Sequence, residues 1–217
     1  MNTTYFIDFD GTITKNDTCY AMVKAFAKDG WEEINRLWEE KKISTVECAQ
    51  RTFELFSADV EAMEKLLYSI EIDEFFKEFL SICGKYCCKV FILSDGYDFS
   101  IERILKKHGI DVKFYSNKLI YDENKGFTIE SPFLNPSCGK CGTCKSGLME
   151  KLETEDSRII YIGDGYSDTC PAGKADKVYA KGSLYKYCSK NGIAAVPFTD
   201  FGDIISKEFE GRCGSCR

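Results

Sequence analysis

Three short apolar runs limit the architecture of this chain more than any other feature: Thr4–Asp8, Lys89-Val90-Phe91-Ile92-Leu93 and Arg158–Ile162. Each has the length of one strand and stops at polar residues: Asp8 and Asp10, Ser94, and Asp164 behind Gly163. Helical spacing fills the intervals, with Phe75, Phe76, Phe79 and Leu80 on one face and Ile101, Ile104 and Leu105 on another. Gly109 stands where a helix terminator belongs. Val112–Tyr115 reads as a further strand, Lys118–Ile129 as a hairpin turning at Glu123-Asn124-Lys125-Gly126, and Val178-Tyr179 and Ala194–Val196 as short strands. This alternation predicts an α/β fold, a doubly wound parallel sheet with helices on both faces.

Residues from about Lys15 to Ile72 break the alternation. Trp31, Ile34, Leu37 and Trp38 keep helical spacing, as do Val46, Ala49, Thr52, Phe53 and Phe56, and then Val60, Met63, Leu66 and Leu67. Ser44-Thr45-Val46-Glu47 has the form of a capping box. Such a helical block is too long for a simple crossover between neighbouring strands. The expected organisation is a small helical cap, residues 15–72, inserted after the first strand of a core formed by 1–14 and 73–217.

The formal charge of −6 provides no basic field for nucleic acid or anionic lipid, so neither is an expected partner. No apolar run is long enough to span a bilayer. Met1-Asn2-Thr3-Thr4 runs directly into the first strand without the features of a signal peptide, so a cytoplasmic location is expected. In that setting the 12 cysteines are expected as reduced thiols or metal thiolates. Cys83, Cys87 and Cys88 read as small core fillers. Cys138, Cys141 and Cys144 form one Cys-x-x-Cys arm, and Cys213 with Cys216 another. Together the arms could hold a structural Zn²⁺; a reduced loop and a disulfide switch are the alternatives. His108, late in its helix, reads as a partner of the helix dipole.

Two aspartates spaced i, i+2 repel one another unless a cation or shared proton relieves them. Asp8 and Asp10 therefore suggest a hard divalent metal, with one carboxylate as nucleophile and the other as acid or base. Ligands of open parallel sheets bind beyond the carboxyl ends of the strands, where Asp8, Asp10, Ser94 and Asp164 could converge. Gly163-Asp164-Gly165-Tyr166-Ser167-Asp168 adds a second carboxylate pair, and Lys145 precedes a helix start at the same rim.

Asp8-Phe9-Asp10-Gly11-Thr12, Ser94 after Ile92-Leu93, Lys145, and Asp164 with Asp168 occur in the order of the four motifs of the haloacid dehalogenase superfamily. The chain resembles that superfamily of aspartate-nucleophile phosphatases over nearly its whole length, and its helical insert resembles the cap of the phosphoserine phosphatase branch. The resemblance implies a Rossmann-like core and a Mg²⁺-dependent phosphomonoester hydrolase that acts on a small phosphorylated metabolite through an aspartyl-phosphate. It implies Asp8 as nucleophile and Asp10 as acid and base. It also implies metal binding by Asp8, Asp164 and the Asp10 carbonyl, with Asp168 holding a metal-bound water. Phosphate binding falls to Ser94, Lys145 and the backbone N–H groups of Asp95 and Gly96.

Ser94-Asp95-Gly96-Tyr97-Asp98-Phe99 and the cysteines before Lys145 resemble the methionine-salvage phosphatases of 2-hydroxy-3-keto-5-methylthiopentenyl phosphate. Phosphatases of phosphoserine, and of phosphocholine and phosphoethanolamine, are the alternatives. The phosphoserine enzymes carry glutamate where Asp17 stands. Asp17, Arg36 and Arg51 are candidates to line the cap, and the expected assembly is a monomer or homodimer. A non-catalytic metal- or redox-responsive binding protein is the rival from another class, and the complete acid, serine and lysine set argues against it.

Overall fold

Thr3 to Ile7 are five consecutive buried positions, and β1 (Asn2–Ile7) accordingly lies at the middle of the sheet. The fold is seen in a computed structural model that describes residues 2–40, 42–124, 126–137, 139, 141–153 and 156–211. β1 pairs in parallel with β2 (Lys89–Tyr97) on one side and β5 (Ser157–Gly163) on the other. The seven-stranded order is β4-β3-β2-β1-β5-β6-β7, with β3 at Phe114–Asp122, β4 at Gly126–Glu130, β6 at Lys177–Ala180 and β7 at Ala195–Pro197. All pairs are parallel except β3 with β4. The direction of winding reverses around β1, so the crevice at its carboxyl end is where this topology places a ligand.

Alternate residues of β1 enter opposite cores. Tyr5 and Ile7 join a cluster with Phe76, Phe79, Ile104 and Phe201, whereas Phe6 joins Leu93, Leu148, Tyr161 and Val178. Helices α5 (Phe76–Lys85), α6 (Asp98–Lys107) and α10 (Phe201–Phe209) contribute to the first; α7 (Lys145–Leu152), α8 (Thr169–Ala172) and α9 (Gly182–Lys190) contribute to the second. Burial on both faces is what turns these strands into continuous apolar runs.

Between β1 and α5 lie α1 (Thr18–Phe26), α2 (Trp31–Glu39), α3 (Thr45–Glu54) and α4 (Val60–Ser69). Their starts follow local chemistry. Asp17 accepts from Tyr20 N–H at 2.8 Å, Ser44 from Glu47 N–H at 3.1 Å, and Asp59 from Ala62 N–H at 2.8 Å. Each side-chain cap satisfies one of the backbone donors left open at a helix start. Met22, Phe53, Met63 and Leu67 continue the same apolar cluster that holds Tyr5 and Ile7. Phe53 also meets Tyr97 of β2 and Phe127 of β4, with ring centroids 5.1 and 5.7 Å away.

Three details depart from sequence expectation. The strand at Val112–Tyr115 and the first arm of the hairpin are one strand, β3, which pairs with β2 and then with β4. An irregularity in β2 between Leu93 and Tyr97 absorbs Ser94–Gly96, so β3 stays paired while it leaves the parallel sheet. Cys83 is buried, but Cys87 is exposed, adopts φ +55° in the turn after α5 and is disulfide-bonded, so it is neither a core filler nor a reduced thiol. Burial, followed by the charge of Lys107, holds His108 below its ordinary pKa, which makes it a neutral imidazole rather than a cation at the dipole.

The buried carboxylate of Glu208 in α10 ties the far end of the sheet together. It accepts from Arg158 at 2.9 Å, Lys177 at 2.6 Å and Tyr179 at 2.8 Å. Burial pushes its pKa up, and these bonds outweigh that effect, leaving it below the ordinary carboxylate value. Its stabilisation is therefore present above pH 4.5, the ordinary value, and is lost as pH falls through the depressed one. Glu208→Gln should lower the unfolding free energy by about 2–3 kcal/mol at pH 7. The estimate sits at the low end for a buried pair because Arg158 and Lys177 remain about a quarter exposed and can hydrate. Urea midpoints at pH 7 and pH 3.5 check this, with the deficit shrinking at the lower pH.

Candidate active site

The carboxyl ends of β1, β2 and β5 bring Asp8, Ser94 and Asp164 to one rim, and the start of α7 brings Lys145 across it. Lys145 is 3% exposed. Its Nζ donates to Asp8 Oδ1 at 2.5 Å, to Asp168 Oδ1 at 2.6 Å and to Ser167 Oγ at 3.1 Å. Burial works against that charge, but Asp168 and Asp8 more than offset it and hold the ammonium well above its usual pKa.

Asp168 receives four protein donors. Lys145 and the Tyr161 hydroxyl bond Oδ1, while the N–H groups of Asp164 and Gly165 bond Oδ2 at 3.0 and 2.9 Å. The acid therefore locks the turn that carries Asp164 and fixes the lysine. Tyr161 is a fully buried ring in β5, and its bond to Asp168 measures 2.5 Å. In sequence it is one more residue of an apolar run, with no motif to mark its role.

Carboxylate oxygens of Asp8, Asp164 and Asp168 all lie within 4.8 Å of one another. Burial, then the negative charge of Asp168, pushes Asp8 well above the usual carboxylate pKa; burial also raises Asp164. Three carboxylates against one ammonium leave two negative charges uncompensated. Asp164 Oδ1 accepts from Thr12 at 2.9 Å, and among the described residues Asp8 Oδ2 and Asp164 Oδ2 receive no protein donor. A hard divalent cation with oxygen ligands fits this charge and donor set. Gly11, at φ +73°, makes room for it: a Cβ there would stand 2.7 Å from Asp164 Oδ2. Because Asp168 is already satisfied by four donors, Asp8 and Asp164 are the side chains free to meet a cation.

Asp10 is set apart from this cluster. Its Oδ1 accepts from Thr18 N–H at 2.8 Å and Thr18 Oγ1 at 2.5 Å, at the first residue of α1. Burial, then Asp17, raises its pKa to about 6, against an ordinary 3.8. A raised carboxyl binds protons more tightly in the folded state. Its contribution to stability is thus fully present below about pH 4 and lost as pH rises to about 6. Thermal melting without divalent cations should show that loss over this window. Asp10→Asn should flatten the corresponding part of the profile; an unchanged slope would contradict the assignment.

A cavity of about 270 Å³ opens between the inserted helices and Asp95 and Tyr97 of β2. Trp31, Trp38, Phe53, Tyr97 and Met22 give it apolar walls, and Asp17 and Asp95 supply its carboxylates. No lysine, arginine or histidine lines it among the described residues. Arg36 and Arg51, candidates to line the cap, are not among the residues lining this cavity: Arg36 pairs with Glu33 and Glu40, and Arg51 with Glu47 at 3.5 Å, all on exposed helix faces. Cys19 also borders the cavity, and burial, then Asp10 and Asp17, keeps it a thiol rather than a nucleophilic thiolate. Of the five cysteines proposed for zinc, Cys138, Cys213 and Cys216 lie outside the described residues, while Cys141 and Cys144 flank the loop before α7. No helix of the described residues is long and apolar enough to cross a membrane.

The family model described as Putative Phosphatase matches residues 3–181. The 2-hydroxy-3-keto-5-methylthiopentenyl-1-phosphate phosphatase of Bacillus cereus (strain ATCC 10987 / NRS 248) is 31% identical over 208 residues, 94% of each chain. That of Bacillus mycoides (strain KBAB4) is 30% identical over 214 residues, covering 95% of this chain and 96% of its own. Among solved structures, a phospho-aspartyl intermediate analogue of phosphoserine phosphatase superposes with a TM-score of 0.70 at 21% identity, covering 95% of this chain and 98% of that one. A substrate-bound phosphoserine phosphatase gives 0.71 at 20% identity, with the same coverage. These two establish likeness of fold. With the family match and the curated relatives spanning nearly the whole length, the chain belongs to the Putative Phosphatase family and is a phosphatase of the haloacid dehalogenase superfamily.

Proposed function

We propose that this phosphatase hydrolyses a small monoester with a compact, largely apolar leaving group, through a phosphorylated Asp8, with residues 15–72 acting as the cap over 1–14 and 73–217. The observation that carries the reading is the buried cluster of Asp8, Lys145, Asp164 and Asp168 at the carboxyl rim of the sheet. Mg²⁺, held by Asp8, Asp164 and the Asp10 carbonyl, would supply the positive charge that lets a dianionic phosphoryl group sit against carboxylates. Lys145 and Ser94 would hold phosphoryl oxygens, joined by the Asp95 N–H and by that of Gly96 once it turns from Ser94 Oγ, which it bonds at 2.9 Å. Lys145 engages Asp8 and orients its carboxylate to attack phosphorus in line with the departing oxygen. As the P–O ester bond breaks, protonated Asp10 gives its proton to the leaving oxygen. Asp10, now a carboxylate, takes a proton from water as that water attacks the phosphorus of the aspartyl ester. The P–Oδ bond breaks, phosphate leaves and Asp8 is restored. A pKa of about 6 suits a group that must give and then take a proton near neutrality.

The cavity favours the substrate named for the curated relatives, whose leaving group is uncharged and ends in a methylthio group. A phosphoserine carboxylate would find no cation among the described residues of its lining. One observation favours a second reading, an alkylammonium ester such as phosphocholine: Asp17 and Asp95 stand among aromatic walls that suit a cation.

Phosphate release from p-nitrophenyl phosphate, 2-hydroxy-3-keto-5-methylthiopentenyl 1-phosphate, phosphocholine and phosphoserine, with and without Mg²⁺, tests these readings. Release that requires Mg²⁺ and favours the methylthiopentenyl ester is expected. Preference for phosphocholine would select the second reading. Preference for phosphoserine would sink both, and no release from any ester would remove the phosphatase assignment itself.

A further inference from the structure

Asn117 belongs to none of the four motifs, yet its side chain joins two of them. It lies on β3 and is 3% exposed. Its Nδ2 donates to the Asp95 carbonyl at 2.8 Å and more distantly to Asp95 Oδ1 at 3.3 Å. Both acceptors belong to the segment just after Ser94. They fix which end of the Asn117 amide is the nitrogen, since an oxygen there would face two oxygens. Asp95 Oδ1 also accepts from Thr143 N–H at 2.8 Å. Thr143 and Cys144 lead directly into α7, whose first residue is Lys145.

The Asn117 amide also lies against the backbone of Gly142. A Cβ at that glycine would stand 2.5 Å from Asn117 Oδ1 and 2.8 Å from Nδ2, closer than any side chain tolerates. The asparagine thus sits between the loop that offers Ser94 and the loop that delivers Lys145, and it fills the space that separates them. Lys145 must shift its hydrogen bonding from carboxylates to phosphoryl oxygens during turnover. Its backbone therefore needs an anchor that does not depend on its own ion pairs.

We propose that Asn117 is a positioning residue that, through Asp95 and against Gly142, sets the spacing between Ser94 and Lys145 and so the affinity of the site for a phosphoryl group. This rests on the reading of the site as a phosphatase centre. Asn117 touches no reacting atom; it acts through the two loops.

The test is competitive inhibition of Mg²⁺-loaded enzyme by inorganic phosphate, with p-nitrophenyl phosphate as substrate, for the parent, Asn117→Ala, Gly142→Ala and the double variant. Parent turnover comes first: its absence would count against the phosphatase reading, whereas the variants judge the asparagine. Asn117→Ala should raise Ki for phosphate and KM about tenfold or more, with a smaller change in kcat; a loop shift of an ångström suffices for that. Gly142→Ala should be worse still, because its methyl group collides with the amide. Combined with Asn117→Ala, which removes the colliding atoms, it should cost nothing further. Asn117→Asp keeps the shape, replaces the donor by an acceptor facing Asp95, and should lose phosphate affinity like the alanine variant; it serves if Asn117→Ala does not fold. Parent-like Ki in whichever Asn117 variant folds, or losses that simply add in the double variant, would overturn the proposal.

Discussion

Asp8→Asn should abolish turnover while leaving a protein at least as stable as the parent. The expected fall in kcat is about 10⁴-fold or more, the scale seen when a covalent nucleophile is removed. Asparagine matches the shape of aspartate, but its amide cannot form the acyl-phosphate. Stability moves the other way because ionised Asp8 is a liability when no cation is bound. It is 5% exposed, and burial, then Asp168, raises its pKa, so at neutral pH it opposes the folded state. The amide removes that charge, and Lys145 keeps its bond to Asp168. Phosphate-release rates and melting curves in chelator, taken on one preparation, measure both halves. Turnover within tenfold of the parent would refute Asp8 as nucleophile. A large loss of melting temperature would mean that its pairing with Lys145 outweighs the repulsion.

Lys145→Met should damage rate and stability together. The methionine keeps the length of the side chain and removes its charge. Asp8 and Asp168 then face each other, buried, with no ammonium between them. Breaking one side of a buried ion pair costs about 3–5 kcal/mol. The lost phosphoryl contact should lower kcat/KM by about 10²–10³-fold, the usual scale for removing one group that stabilises developing charge. The stability deficit has a direction in pH. Without the lysine, which holds the Asp8 pKa down, Asp8 takes up a proton more readily in the folded state, so the variant should recover toward the parent as pH falls and lose ground as it rises. Urea unfolding at pH 5, 7 and 8.5 reads this. A deficit independent of pH would point to packing rather than charge.

These two variants concern residues that were legible in the sequence. Asp8, Ser94 and Asp164 end apolar runs, and a strand end on a parallel sheet is a place where side chains from distant segments can meet. Lys145 and Asp168 were legible by motif order. The helical insert between β1 and α5 was legible through its 3.6-residue spacing and the Ser44 cap. What escaped notice was whatever depends on neighbours distant in the chain. Thr12 bonding Asp164, Tyr161 bonding Asp168, and Asn117 joining Asp95 to the Gly142 loop are set by sheet pairing, and nothing in their own segments announces them. Thr18 could have been suspected, since a helix start offers a backbone N–H and a hydroxyl to a nearby carboxylate. The ion pairs of Arg36 and Arg51 are the opposite case: glutamates three or four residues away on or beside their own helices engage them.

The pairing of β1 also bears on how the protein is made. Asn2 lies opposite Ser157 and Ile7 opposite Ile162, so one edge of this strand is completed by a segment synthesised about 155 residues later. At ribosomal speeds of about 5–20 residues per second, that is a wait of about 8–30 s. Throughout it, Thr4-Tyr5-Phe6-Ile7 has an open edge and an apolar face, a combination that invites pairing with other chains. The helices encoded between β1 and β2 are available early, and Met22, Phe53 and Met63 can cover the Tyr5 and Ile7 side in the meantime. The insert is thereby placed to shelter the nascent first strand well before Asp164 leaves the ribosome.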